Sequence, residues 1–265
     1  MLKDIAMKKY NDKSPTIYGT EFPTEEFLSL QERKKSFFER NFQDTVKTSE
    51  SLMRFMSRQN LAKLKCYIDA FEMTKNVSGS IVECGVFHGN GLMTWAKLSA
   101  ALEPFNYNCK IIGFDTFSGN TELTEKDKPE NNQYPHKKLH GYQSESYEDI
   151  QENIEIFDMD RPINHIEKVK LVKGDIAETA PKYLQENPHT IVRLLSLSMN
   201  LYEPTLSALK SFLPRMPKGS MVFVFSVNLD IYPGITASIM DELGLNNIEL
   251  ITPSFYPSVS YFRIK

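Results

Sequence analysis

Apolar residues along this chain follow two rhythms. In the first quarter they recur at helical spacing. Thr24-Glu-Glu-Phe27 reads as a helix start, followed by Leu28, Leu30, Phe37 and Phe38. A second block, from Ser49 to about Met73, sets Leu52, Phe55, Met56, Leu61, Leu64, Tyr67, Ile68 and Phe71 on one face. That face predicts a helix packed on a sheet or on a second subunit, with a lid over a ligand as the alternative. From Ser80 onward short apolar runs alternate with helical stretches. A short strand is expected to end at Ile81 and Val82 with Glu83 at its tip, and further strands at Lys110–Asp115, Val169–Lys173, Thr190–Leu197 and Ser220–Val227. Helices are expected at Leu92–Leu102, Ser146–Phe157, Pro204–Leu213 and Ile235–Leu243, the last closed by Gly244. Ile248–Thr252 and Ser258–Ile264 read as an antiparallel pair at one edge. This alternation predicts an α/β fold: a mostly parallel, Rossmann-like sheet with an antiparallel edge pair, helices on both faces and a helical N-terminal appendage. Residues 1–79 form the arm and appendage in this reading, and residues 80–265 one domain with an insert at 118–167. No internal repeat is visible.

The chain is organised around Ser80–Trp95, Ser-Ile-Val-Glu-Cys-Gly-Val-Phe-His-Gly-Asn-Gly-Leu-Met-Thr-Trp. A buried strand ends in Glu83, a turn is made by Gly85, Gly89 and Gly91, and a helix follows. Strand, acid, glycine turn and helix open a nucleotide-binding unit. A dinucleotide fingerprint is G-x-G-x-x-G; here the order is E-x-G-x-x-x-G-x-G. A carboxylate at the strand tip suits a cationic ligand without phosphate, and S-adenosylmethionine (AdoMet) fits. Taken alone, the same glycines also serve a structural turn or another nucleotide, though AdoMet is the favoured reading.

Two further carboxylates change the picture. Asp115 closes the second strand, placed to hydrogen-bond a ribose diol, and Asp175 follows the third, within reach of an adenine amino group. Each alone reads as a solvated strand end. Three in succession at the tips of three strands point to a cofactor site made of Glu83, Gly85, Gly89, Gly91, Asp115 and Asp175. The polar insert, with Pro129, Asn131, Asn132, Pro135, His136 and His140, is where acceptor specificity is expected.

Composition narrows the class. Hydrophobic residues make up 41% and charged residues 25% of 265, which predicts a globular protein. A net charge of −3 gives no reason to expect nucleic acid or an anionic membrane as partner. Cys66, Cys84 and Cys109 form neither a disulfide framework nor a zinc motif and suit a reducing compartment. Met1–Tyr10 lacks the apolar run of a secretory signal and no stretch is long enough to span a bilayer, so a cytoplasmic location is expected.

With these blocks laid out, the chain resembles the macrocin O-methyltransferase (TylF-like) family of AdoMet-dependent sugar O-methyltransferases. The resemblance is carried by Val82-Glu-Cys-Gly-Val86 with Gly89 and Gly91, Gly113-Phe-Asp-Thr-Phe117, Lys173-Gly-Asp175 and Leu201-Tyr-Glu-Pro-Thr205. Phe212-Leu-Pro-Arg-Met-Pro-Lys-Gly219, Tyr232-Pro-Gly234 and Gly244-Leu-Asn-Asn247 extend it over roughly residues 55–265. It implies a class I methyltransferase sheet, AdoMet, a sugar or natural-product hydroxyl as acceptor, a divalent metal, usually magnesium, and a homo-oligomer.

The metal is where this sequence departs. The family's Leu-Asp-x-Asp is here Leu197-Ser-Met-Asn200, the acids closing strand five are replaced by Phe225 and Ser226, and Pro-Gly-Glu-Thr has become Pro233-Gly-Ile-Thr236. Magnesium needs hard, charged oxygen ligands. Ser198, Asn200, Ser226 and Asn228 are neutral, Phe225 is expected to put a ring where a ligand belongs, and Ile235 offers nothing. No metal ligand is therefore assigned, the alternative being a relocated site built from Asp230 and Glu203. No catalytic residue is assigned either. His88, His136 and His140 are candidate bases, but shaping the turn (His88) or an ordinary surface role (His136, His140) explains each better. An O-methyltransferase without its metal and a non-catalytic AdoMet- or S-adenosylhomocysteine-binding protein both remain open, as does a fold remnant without cofactor.

Overall fold

The structure is a computed structural model and describes residues 25–120, 123–128 and 143–265. The expected arm at 1–24, His136 and His140 lie outside the described residues. The chain divides into two compact units, residues 1–61 and residues 62–265.

In the first unit, α1 (Glu25–Asn41) is followed by α2 (Thr45–Glu50), whose N-cap Asp44 accepts the Lys47 N–H at 3.0 Å. The continuous helix expected from Ser49 to Met73 is broken. A 3₁₀ turn at Leu52–Arg54 intervenes, and α3 (Arg58–Thr74) starts afresh with Ser57 Oγ accepting the Asn60 N–H. Phe55 explains the break. Its ring lies 5.3–5.4 Å from those of Phe37, Phe38 and Phe42, so it belongs to an aromatic cluster and not to the face of α3.

From Ala62 onward α3 is part of the second unit. There β1 (Ser80–Cys84), β2 (Ile111–Asp115), β3 (Val169–Lys173), β4 (Val192–Leu197), β5 (Met221–Phe225) and β6 (Val259–Arg263) form one sheet. Its order is β3-β2-β1-β4-β5-β6, parallel except for β6, which runs antiparallel to β5. The helices are α4 (Asn90–Leu102), α5 (Tyr147–Met159), α6 (Ile176–Glu186), α7 (Tyr202–Phe212) and α8 (Pro233–Leu243).

Alternation along the strands builds two cores. Val82, Cys84, Ile112, Phe114, Leu195, Leu197, Val222 and Val224 face α6, α7 and α8. Ile81, Ile111, Leu194, Phe223 and Phe225 face α3, α4 and α5. Of the predicted face of α3, Tyr67 and Phe71 are buried, whereas Ile68 turns outward, because the packed stripe runs through Cys66, Tyr67, Ala70 and Phe71. This helix runs against the strand direction. Phe71 lies against Arg193 near the start of β4, and Lys63 against Phe225 at the end of β5.

The expected edge pair is realised by β5 and β6, while the segment expected at Ile248–Thr252 contributes only one bridge, Ile251 to Tyr261. The fifth strand also stops two residues early. Ser226 takes a φ of 65°, outside the extended region, and its N–H turns to Ser258 O. All three cysteines are free and buried.

Candidate functional site

In an open α/β sheet, ligands bind beyond the carboxyl ends of the strands where the strand order reverses. Here that point lies between β1 and β4, with β2 on the other side of β1, and the backbone around it marks it. Of the non-glycine residues with positive φ, Phe87 follows β1, Phe117 follows β2, Asn200 follows β4, and Ser226 and Asn228 follow β5. Only Ile163 lies elsewhere among the described residues. Such conformations cost free energy and collect at functional sites.

The glycine turn is shaped by its neighbours. Gly85 has φ 92°, and a Cβ there would stand 2.8 Å from Ser198 Oγ, so the β1 turn can meet the β4 tip only without a side chain. Gly89, at φ 81°, caps α4. Gly91 leaves room for a carboxylate: a Cβ on it would collide with both Glu83 oxygens.

Glu83 therefore sits under the start of α4, 2% exposed, where Trp95 Nε1 donates to its Oε2 at 2.8 Å and the Leu92 N–H donates to the carboxylate. Burial pushes its pKa up to about 7, and the charge of Lys63 and these two donors pull it back. It shapes the turn from beneath. Asp115 is half-buried and spans two loops: Oδ2 accepts the Phe87 N–H and Oδ1 the Phe117 N–H, each at 2.8 Å. Each oxygen keeps a further lone pair, which suits a pair of hydroxyls. Asp175 caps α6, accepting the Ala177 N–H at 2.9 Å. His88 is exposed on the turn, its ring 3.7 Å from that of Phe87.

At the tips of β4 and β5 the oxygens are neutral. Ser198 Oγ donates to Gly85 O at 2.6 Å. Asn200 Oδ1 and Ser226 Oγ are buried without a hydrogen-bond partner among the described residues. Ile235 is buried in the core. Phe225 does not enter this space, contrary to expectation. Its ring packs with Phe223 at 5.4 Å and Tyr67 at 6.2 Å, since strand alternation sends it to the α3 side. Asp230 and Glu203 are exposed. No group of three or more His, Cys, Asp or Glu side chains is gathered where it could hold a metal among the described residues.

Two charged residues at this end of the sheet were missed in the sequence. Asp127, in the insert, is 3% exposed and serves two segments. Its Oδ2 accepts from Thr124 N and Oγ1 at 2.9 and 2.8 Å, and its Oδ1 accepts the Tyr202 N–H at 2.7 Å, capping α7 from outside the helix. Gly234 makes space for it, because a Cβ there would strike Asp127 Oδ1. The Thr124-x-x-Asp127 spacing was a readable signal. Downstream, Ser144 and Ser146 donate to Phe87 O at 3.1 and 2.7 Å, so both described flanks of the insert are fastened at this edge. The other missed residue is Lys63, whose Nζ lies 4.8 Å from the Phe225 ring centroid and 5.8 Å from that of Tyr67. Burial lowers its pKa, opposed by the charge of Glu83. It carried no motif.

Comparisons with known proteins place this geometry. The sequence profile described as macrocin-O-methyltransferase (TylF) matches residues 9–242. Among solved structures, CalS11, a calicheamicin methyltransferase, is 26% identical with a TM-score of 0.84 over 94% of this chain and 99% of that one. The apo structure of CalS11, described as a TDP-rhamnose 3'-O-methyltransferase, is 27% identical with a TM-score of 0.77 over 91% and 96%. The O-methyltransferase NovP, 19% identical with a TM-score of 0.60 over 77% and 80%, shares the fold. No curated protein matches significantly. No helix among the described residues is long and apolar enough to cross a membrane.

Proposed function

The chain belongs to the macrocin-O-methyltransferase (TylF) family, and from that premise we propose that it is an AdoMet-dependent O-methyltransferase acting on a sugar hydroxyl without a divalent metal. The observation that carries the reading is the edge built around Asp115: a half-buried carboxylate with lone pairs to spare, held by the glycine turn and the β2 loop one strand from the reversal of strand order. Bound there, AdoMet supplies a methyl group on an electrophilic sulfonium. Asp115 would hold the ribose diol, Asp175 would face the adenine, and Gly85, Gly89 and Gly91 keep the turn low enough for close approach. Likeness to CalS11 over nearly the whole of both chains supports a sugar as acceptor.

The oxygens at the tips of β4 and β5 do not fit a dication. Ser198, Asn200 and Ser226 bring no charge to offset dehydration of the ion, and Ser198 is already committed to Gly85 O. They bring only neutral oxygens to this end of the sheet. The same neutrality favours a second reading, a protein that holds AdoMet or S-adenosylhomocysteine without turnover. Calorimetry with AdoMet, followed by transfer of labelled methyl to TDP-rhamnose with magnesium or EDTA, separates the two. Binding with EDTA-insensitive transfer is expected. Binding with no transfer to any nucleotide sugar would favour the second reading, and no binding would defeat both.

A further inference from the structure

Asp115 ties two loops together, and the start of α5 holds the same two loops by other atoms. The carboxylate accepts the N–H groups of Phe87, after β1, and of Phe117, after β2. Ser144 and Ser146, both buried, donate to Phe87 O at 3.1 and 2.7 Å. The ring of Tyr147, the first residue of α5, meets that of Phe117 edge-on with centroids 5.0 Å apart. Ile150, one turn on, packs against the glycine turn so closely that a Cβ on Gly89 would stand 2.9 Å from its Cγ1.

Two departures from local preference mark this arrangement. Phe87 has a φ of 53°, a left-handed conformation that a residue other than glycine keeps only where its surroundings impose it. Both of its peptide groups are gripped, the N–H by Asp115 and the C=O by the two serines. Ser146 is the N-cap residue of α5, yet its side chain caps no N–H of that helix. Its hydroxyl goes to Phe87 O instead. A cap forgone in one element to hold a strained residue in another marks a site where local preference yields to a function.

We propose that Ser144 and Ser146 are positioning residues for the cofactor, and that binding at Asp115 is coupled through Phe87 to docking of the start of α5. This rests on the methyltransferase reading above. When the two hydroxyls are removed, Phe87 O loses both of these donors and the residue relaxes out of its left-handed conformation. Its N–H then leaves Asp115 Oδ2, and the carboxylate is held only by Phe117 through Oδ1. A ligand whose paired hydroxyls reach that carboxylate has to order it again, at the expense of affinity. The coupling is reciprocal: a ligand that tightens Asp115 on Phe87 tightens Phe87 on α5 by the same factor.

The full chain is titrated with AdoMet by calorimetry as wild type and as Ser144→Ala/Ser146→Ala, and each is titrated again with Asp115→Ala added. Loss of the serines is expected to weaken binding about three- to tenfold where Asp115 is present. Where Asp115 is absent it should have no further effect, because the path runs through that carboxylate. Wild-type affinity in the serine variant overturns the proposal, and so does an equal loss in both backgrounds, the pattern of a general loosening. Hydrogen exchange reads the same coupling without any serine variant. Saturation of wild type with AdoMet should slow exchange in the first turn of α5 by about the same three- to tenfold. Asp115→Ala, saturated likewise, should show no such slowing. Unchanged exchange there in saturated wild type overturns the proposal equally. Failure of wild type to bind AdoMet at all would instead defeat the methyltransferase reading, an outcome distinct from these.

Discussion

The indole N–H of Trp95 donates to the Glu83 carboxylate at 2.8 Å, twelve positions back in the chain, and this contact fixes the start of α4 against the tip of β1. It also makes the fold sensitive to pH. Glu83 has a folded value of about 7 against 4.5 for the free side chain. Between those values the folded protein holds a proton that the unfolded chain has released, so stability falls as pH rises through the window, by about 3 kcal/mol. Thermal unfolding followed from pH 4.5 to 8 should show this decline, and Glu83→Gln should flatten it. An identical slope in both proteins would exclude Glu83 as the source.

Removing the Asp127 carboxylate strips α7 of its cap and leaves the buried Tyr202 N–H without a partner. Asp127→Ala should cost about 2–3 kcal/mol in urea denaturation, with faster hydrogen exchange in the first turn of α7. Unchanged exchange there would mean that the cap is dispensable.

Asp115→Ala should weaken AdoMet binding by at least about tenfold, the loss of one charge-assisted contact. The two backbone N–H groups it holds, at Phe87 and Phe117, would also be freed. Calorimetry reads the affinity, and wild-type affinity in the variant would remove Asp115 from the site.

Arg193 is 1% exposed in β4, with Nη1 and Nη2 donating to Glu103 at 3.0 and 2.5 Å. Glu103→Ala would leave that guanidinium buried beside the Phe71 ring without its counter-charge. A loss of about 3–5 kcal/mol is expected, measured as a lower urea midpoint. A change below 1 kcal/mol would show that water reaches Arg193.

Added magnesium should leave the melting temperature unchanged, and EDTA should leave AdoMet binding unchanged, because Ser198, Asn200 and Ser226 present only neutral oxygens. A magnesium-dependent rise in melting temperature would identify charged ligands that these positions do not supply.

Strand positions were legible because each strand had to be apolar on buried faces, and Glu83, Asp115 and Asp175 were found as acids ending such runs. What each acid touches was not legible. Glu83 looked like a group open to ligand, yet the missing Cβ of Gly91, eight positions on, lets it sink beneath the helix. Phe225 looked like an obstruction in the pocket, but strand alternation turned it to the other side. The break at Phe55 was hidden because its rhythm matched the helix after it, while its packing partners lay in the helix before. Asp127 and Lys63 act on groups 75 and 20 positions away in the sequence, Tyr202 and Glu83, a distance at which no local pattern speaks.

The placement of Asp127 has a practical bearing on engineering. Acceptor range in such a protein would ordinarily be altered by grafting a foreign loop across the long insert. Here a graft beginning right after β2 would discard the carboxylate that holds the front of α7, and the chimera would fail for reasons unrelated to its new cargo. Splicing after Lys128 and before Gln143 keeps that keystone and the serines that pin the far end.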